Sequence, residues 1–200
     1  MQDSSGPEQA TTMTTGMIEA TVLAQKTKHS SHSHHSNHNH NHKPLQLVYN
    51  PTDGSVLRDH HNVPVTVDRL LATKPLRHEL STRPGPSGKK LTYISGDGVS
   101  RTLNDIFGYD GWNLDISSTN QVDCTKDTKH GKYQVVYTAQ VRLTHLASGA
   151  YKEDCGAGDA VDKVLGTAIG HALKSAITDA MKRAARHFGD KLGNCTFTIV

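Results

Sequence analysis

No stretch of the 200-residue sequence approaches the roughly 18 apolar residues of a membrane span. The first ten residues carry Asp3 and Glu8 instead of a basic start, so neither a transmembrane protein nor a secretory precursor is expected. Cysteine is sparse, with only Cys124, Cys155 and Cys195. An odd count without a Cys-x-x-Cys pair argues against a disulfide scaffold or a cysteine-based zinc site, and for a reducing compartment. A strong excess of one charge is missing too. The formal net charge of +3 does not by itself announce a polyanionic partner. No Ser/His/Asp order, His-Glu-x-x-His or paired-carboxylate motif stands out, so an enzyme is not expected. At about 150 residues per domain, the length allows one domain and an appendage.

Residues 1–43 are nearly devoid of aromatics and rich in Ser, Thr, Gln and Asn. Such a segment cannot bury enough apolar surface to offset the entropy of ordering it, so it reads as a disordered tail. Within it, His29, His32, His34, His35, His38, His40 and His42 form a low-complexity tract. A tract without fixed geometry or supporting partners is no specific metal site, and no cofactor or metal is expected. Residues 44–75 read as a linker punctuated by prolines, with a short helix near 68–71 that Pro75 breaks. A glycine-proline loop over 81–90 carries Arg83, Lys89 and Lys90.

From residue 91 the periodicities sharpen. Leu91–Ile94 is a short strand and 96–98 a turn. Val99, Leu103, Ile106 and Phe107 recur at helical spacing up to Gly108. Trp112, Leu114 and Ile116 alternate as a strand, with a hairpin connection over 126–131. Tyr133, Val135, Tyr137, Ala139, Val141 and Leu143 alternate strictly with polar residues, which predicts a strand with one buried face. A turn over 147–149 leads into a third strand. Apolar positions from 161 to 188 then predict a helix over 159–188, capped by Asp159 or Asp162. The expected fold class is therefore α+β: an antiparallel β-meander (β-β-β-α) with a long helix packed on the sheet, preceded by a short strand and helices. Phe107 and Trp112, at apolar positions, read as core and not as base-stacking rings.

Lys174, Thr178, Lys182 and Arg186 follow each other at i+4 on the helix face away from the apolar stripe, with Arg183 adjoining. Most such rows are simply solvated helix faces. Arginines on a rigid helix also suit a row of phosphates, because each guanidinium holds phosphate oxygens bidentately. Arg83, Lys89 and Lys90 supply a candidate second wall, and Lys129 with Lys132 at the hairpin tip a third. A groove so lined binds single strands with little regard to sequence.

These motifs carry a family resemblance. Ser-Thr-Arg (81–83), Lys-Lys-Leu-Thr-Tyr-Ile (89–94), Ile-Phe-Gly-Tyr-Asp-Gly-Trp (106–112), Gly-Lys-Tyr (131–133), Val-Arg-Leu-Thr (141–144) and Tyr-Lys-Glu-Asp-Cys-Gly-Ala-Gly (151–158) occur in order. Ala-Ile-Thr-Asp-Ala-Met-Lys-Arg-Ala-Ala-Arg-His-Phe-Gly (176–189) and Leu-Gly-Asn-Cys (192–195) complete the series. Together, over residues 76–195, they resemble the N-terminal domain of the Rad fifty-two type strand-annealing family, the eukaryotic recombination mediators. The resemblance implies a homo-oligomeric ring that binds and anneals single-stranded DNA in double-strand break repair, in the nucleus. It makes 76–200 the DNA-binding and oligomerisation domain. It matches Arg83, Lys182, Arg183 and Arg186 to an inner single-strand site, and Lys132 to an outer site that holds a second DNA, double-stranded DNA included. It places Gly156 and Gly158 in the turn between the last strand and the helix.

Of the family's basic cluster early in the helix, only Lys163 and Lys174 remain, and Thr-Phe-Thr-Ile-Val replaces the basic residues expected after Cys195. The family's C-terminal region, which engages the recombinase and replication protein A, is not among these residues, so neither partner is expected of them. A reading from another class, a metal-dependent enzyme or metal-binding protein built on the histidine tract, stands beside the annealing one. Deleting 1–43 separates the two.

Overall fold

The computed structural model describes residues 45–195 apart from Pro51. The expected disordered tail and its histidine tract lie outside the described residues. Thr66 opens the first helix, α1 (Val67–Leu71), where its Oγ1 accepts from the Arg69 amide at 3.3 Å. A 3-10 turn over Arg77–Glu79 leads into β1 (Ser81–Pro84), which pairs with β2 (Lys90–Tyr93). The loop expected over 81–90 is thus a hairpin, because Ser81–Pro84 register antiparallel against Lys90–Tyr93. Ser95 caps α2 (Gly96–Phe107), so 96–98 is the first helical turn and not a separate bend. Gly108, at a φ of 87° that glycine alone adopts readily, ends α2 where the sequence spacing anticipated.

The α+β meander is as the alternation predicts. Strands β3 (Trp112–Asp127), β4 (Lys132–His145) and β5 (Ala150–Asp162) pair in the order β3-β4-β5, all antiparallel. Strand β3 is interrupted by bulges at Ile116/Ser118 and Gln121/Asp123. One face of β4 sends Val135, Ala139, Val141 and Leu143 into the core, as its period of two demands.

The long helix, α3, spans Leu165–Arg186 and begins six residues later than the apolar periodicity suggests. Strand pairing claims the difference: Ala160 and Asp159 register against Val135 and Val136. Asp159 and Asp162 therefore lie on β5, and Asp162 Oδ1 accepts from the Val164 amide just ahead of the helix. Gly156 and Gly158 are also strand residues, not turn residues, and both are buried. A Cβ on Gly156 would stand 2.2 Å from the Ala180 nitrogen, and one on Gly158 2.4 Å from the Ala172 oxygen. Helix backbone lies directly on strand backbone. Ala168, Ala172, Ala176, Ala180 and Ala184, one per turn and all fully buried, form the matching helix face.

The expected linker supplies Val48, Val65, Val67 and Leu71 to the same core as Leu103, Val141 and Ala180. Phe107 and Trp112 pack against that core. Phe107 stacks on His145 with ring centroids 4.2 Å apart, and the Trp112 indole donates to Asn104 Oδ1 at 2.8 Å. The Lys191 ammonium donates to both Glu79 oxygens at 2.8 Å, tying the chain after α3 to the turn before β1. No helix among the described residues is long and apolar enough to cross a membrane.

Gly166 and Gly170 behave differently from the strand glycines. Both lie in α3, and a Cβ at either would meet nothing within 4 Å. Gly170→Ala should therefore stabilise the protein by up to about 1 kcal/mol, by removing glycine's excess unfolded-state entropy. Chemical denaturation that finds Gly170→Ala less stable than the parent would contradict this packing.

Candidate nucleic-acid interface

The basic row of α3 does not simply face solvent. Thr178 packs on α2, since a Cβ on Gly96 would lie 2.6 Å from its Cγ2. Lys182, one turn further on, turns toward the β1–β2 hairpin. Its ammonium lies 5.1 Å from the centre of the Tyr93 ring, and the Arg83 guanidinium lies 5.5 Å from the same ring. Arg83 reaches Tyr93 because Ser81 is the residue opposite Tyr93, which makes Arg83 its diagonal neighbour on one sheet face. Two cations from separate elements thus converge on one aromatic.

Beside them runs a cleft of about 240 Å³, lined by Tyr93, Lys182, Arg183, Arg186 and Asp179 among others. Leu192 and Gly193 also line it. Three cations spaced along one helix edge match the requirement for contacts to successive phosphates.

Arg183 has a partner that its neighbours on the helix do not reveal. Its Nε donates to Asp154 Oδ1 on β5 at 3.2 Å, while His187 Nε2 lies 3.0 Å from Asp154 Oδ2. Burial pushes the Asp154 carboxyl up. The contacts with His187, the Cys155 amide and Arg183 outweigh that and hold it below the ordinary carboxylate range. Arg183 is correspondingly held above its usual value, through its hydrogen bond to Asp154 and the charge behind it.

The remaining basic residues stand elsewhere. Lys132 and Lys163 flank the register pair Tyr133–Asp162, at the opposite end of the sheet from Asp154. At about 3.3 Å per strand residue, that is roughly 26 Å along β5. Lys174 is exposed on α3 between the two groups, about 12 Å along the axis from Lys182 at 1.5 Å per residue. Arg83, Lys182, Arg183 and Arg186 therefore come together, while Lys132 and Lys163 form a second basic area and Lys129 joins their end of the sheet. Among the described residues, no group of three His, Cys, Asp or Glu side chains is placed to hold a metal ion.

The sequence model of the Rad52/22 family of double-strand break repair proteins matches residues 65–198, more than half of the chain. The chain belongs to the Rad52/22 family. Among similar Rad52/22-type proteins, the DNA repair and recombination protein RAD52 of Saccharomyces cerevisiae is 41% identical over 119 residues, covering 59% of this chain and 25% of that protein. The DNA repair and recombination protein rti1 of Schizosaccharomyces pombe is 36% identical over 130 residues, 64% of this chain and 34% of that protein. The protein radC of Emericella nidulans, of the same description, is 39% identical over 120 residues, 59% of this chain and 20% of its own length. The chain thus spans between a fifth and about a third of these relatives.

Two residues of this arrangement escaped the sequence reading: Tyr93, which lines the cleft, and Asp154, which pairs with Arg183 from β5. Tyr93 sits in a short run that reads only as strand, and nothing local ties it to α3. Asp154 is 29 residues from Arg183 in sequence and meets it only because α3 folds back along β5. The sign of the Asp154 linkage follows from its lowered pKa. Its ion pair contributes stability above the unfolded carboxylate range, and that contribution is lost as pH falls through the folded value. Asp154→Asn should therefore flatten the acid side of the stability–pH curve. Superimposable curves for parent and variant below pH ~4, the ordinary carboxylate range, and above it alike would contradict the assignment.

Proposed function

We propose that this Rad52/22 family member binds single-stranded DNA along the α3 cleft and anneals complementary strands in recombination and double-strand break repair, in the nucleus. The observation that carries this reading is the convergence of Arg83 and Lys182 on Tyr93, beside a cleft that Arg183 and Arg186 extend. Cations on two rigid elements grip the sugar-phosphate backbone and leave the bases outward for pairing. Two strands so held meet at raised effective concentration, with no bond made or broken. Lys132 with Lys163 is assigned to the second DNA, at the separate basic area, and Lys174 to the stretch of α3 between the two.

A homo-oligomeric ring fits the sheet. Both β3 and β5 are edges, and they carry exposed Ile116 and Val122 on one and Tyr151 and Val161 on the other. Pairing the β5 edge of one copy with the β3 edge of the next is a head-to-tail contact, which closes into a ring when the rotation permits.

The test is fluorescence-monitored pairing of complementary oligonucleotides, with and without protein, at two salt concentrations, alongside light scattering for assembly. Faster pairing at low salt that fades at high salt is expected. A folded protein that leaves the pairing rate unchanged at low ionic strength would remove the proposal.

A further inference from the structure

Resting on the proposed single-strand site, a division of labour among its cations follows from Asp154. Its carboxylate side chain is 13% exposed, and it accepts from Arg183 Nε at 3.2 Å while also meeting His187. Asp179, on the turn of α3 before Arg183, accepts from the Ala157 amide and adds to the negative charge around the guanidinium. Arg183 is therefore flanked by two carboxylates. Among the described residues, no carboxylate pairs with Lys182 or Arg186, which line the same cleft.

A guanidinium held by Nε is fixed in direction, with its Nη edge still able to donate. Its charge is largely cancelled where it stands. A phosphate arriving there gains a directed hydrogen bond but displaces few counterions on account of Arg183. We propose that Asp154 is a positioning residue of the single-strand cleft: it aims Arg183 and cancels its charge, leaving Lys182 and Arg186 to carry the salt-dependent grip. The consequence is a cleft that orients the backbone without holding it so tightly that annealed product cannot leave.

Salt dependence separates these roles, because each phosphate neutralised on a single strand contributes about 0.7 to the slope of log affinity against log salt. The experiment is fluorescence anisotropy of a labelled oligothymidylate against the full chain over a salt series. Asp154→Asn should steepen the slope by about 0.7 and tighten binding at low salt several-fold. Asp154→Glu should restore the parent slope. Replacing both members of the pair, Asp154→Asn with Arg183→Ala, should weaken binding with little change of slope, whereas Arg186→Ala should reduce the slope by about 0.7.

A folded Asp154→Asn protein with the parent slope would overturn the proposal. So would a slope for the double variant that falls as far as that of Arg186→Ala, and this second comparison, which leaves no carboxylate stripped of its cation, decides the matter if Asp154→Asn alone fails to fold. A parent protein that binds no oligothymidylate removes the single-strand site itself, and this inference with it. Binding by the parent with either overturning slope removes only the role of Asp154.

Discussion

Gly158→Ala is expected to lower the melting temperature by roughly 6–12 °C, the shift for a cost of about 3 kcal/mol in a domain of this size. The added Cβ would stand 2.4 Å from both the Ala172 oxygen and the Ala176 nitrogen. Neither is a side chain that can rotate away, so α3 must lift from β5 or the strand must bend. Glycine is a poor strand residue for want of packing surface, yet here the missing side chain is what lets the alanine face of α3 rest on the sheet. The effect should reach DNA as well, because lifting α3 moves Lys182 and Arg186 away from the β1–β2 hairpin. A calorimetric scan of Gly158→Ala beside Gly170→Ala provides an internal control, since the same chemical change is expected to act in opposite directions. Equal melting temperatures for the two variants would be incompatible with the helix-on-strand contact.

Removing Lys182 and Arg186 together should weaken oligothymidylate binding by about a hundredfold or more. Hydrogen bonds to charged groups contribute about 1.5–3 kcal/mol each, and two such contacts are lost. The salt slope should fall by about 1.4 in the same variant. Both side chains line the cleft and neither contributes to the alanine face, so the thermal transition should stay near that of the parent. The structure decides which pair to mutate. From the sequence, Arg183 and Arg186 are the natural choice, but truncating Arg183 strips Asp154 of a partner and mixes a folding defect with a binding one. Anisotropy titrations of Lys182→Ala plus Arg186→Ala that match the parent across the salt series would show that the cleft is not the binding site.

Much of the architecture is legible residue by residue. The strict alternation from Tyr133 to Leu143 can only be reconciled with a strand having one buried face, and that strand is the centre of the sheet. The glycine after Phe107 marks the end of α2, because the chain there needs a positive φ. Where the reading went astray, a longer-range partner overrode a local signal. The stretch from Asp159 to Asp162 carries apolar residues in phase with α3, but β4 offers it a ladder of backbone hydrogen bonds and it stays strand. The segment 81–90 looks like a flexible loop by composition, yet its two ends pair with each other. Val48 and Leu71 sit among prolines and polar residues, and only packing against α2 and α3 makes them core.

Taken alone, the sequence determined the α+β class, the strand order in the chain, and the identity of the cations on α3, because periodicity and residue type are local properties. Whether those cations act together is not local. Only the folded chain brings Arg83 to Tyr93 beside Lys182, sets Lys132 and Lys163 at the far end of the sheet, and gives Arg183 a carboxylate partner 29 residues away. Electrostatic interaction falls off with distance and screening within about 10 Å in salt, so which charges cooperate depends on where the backbone carries them.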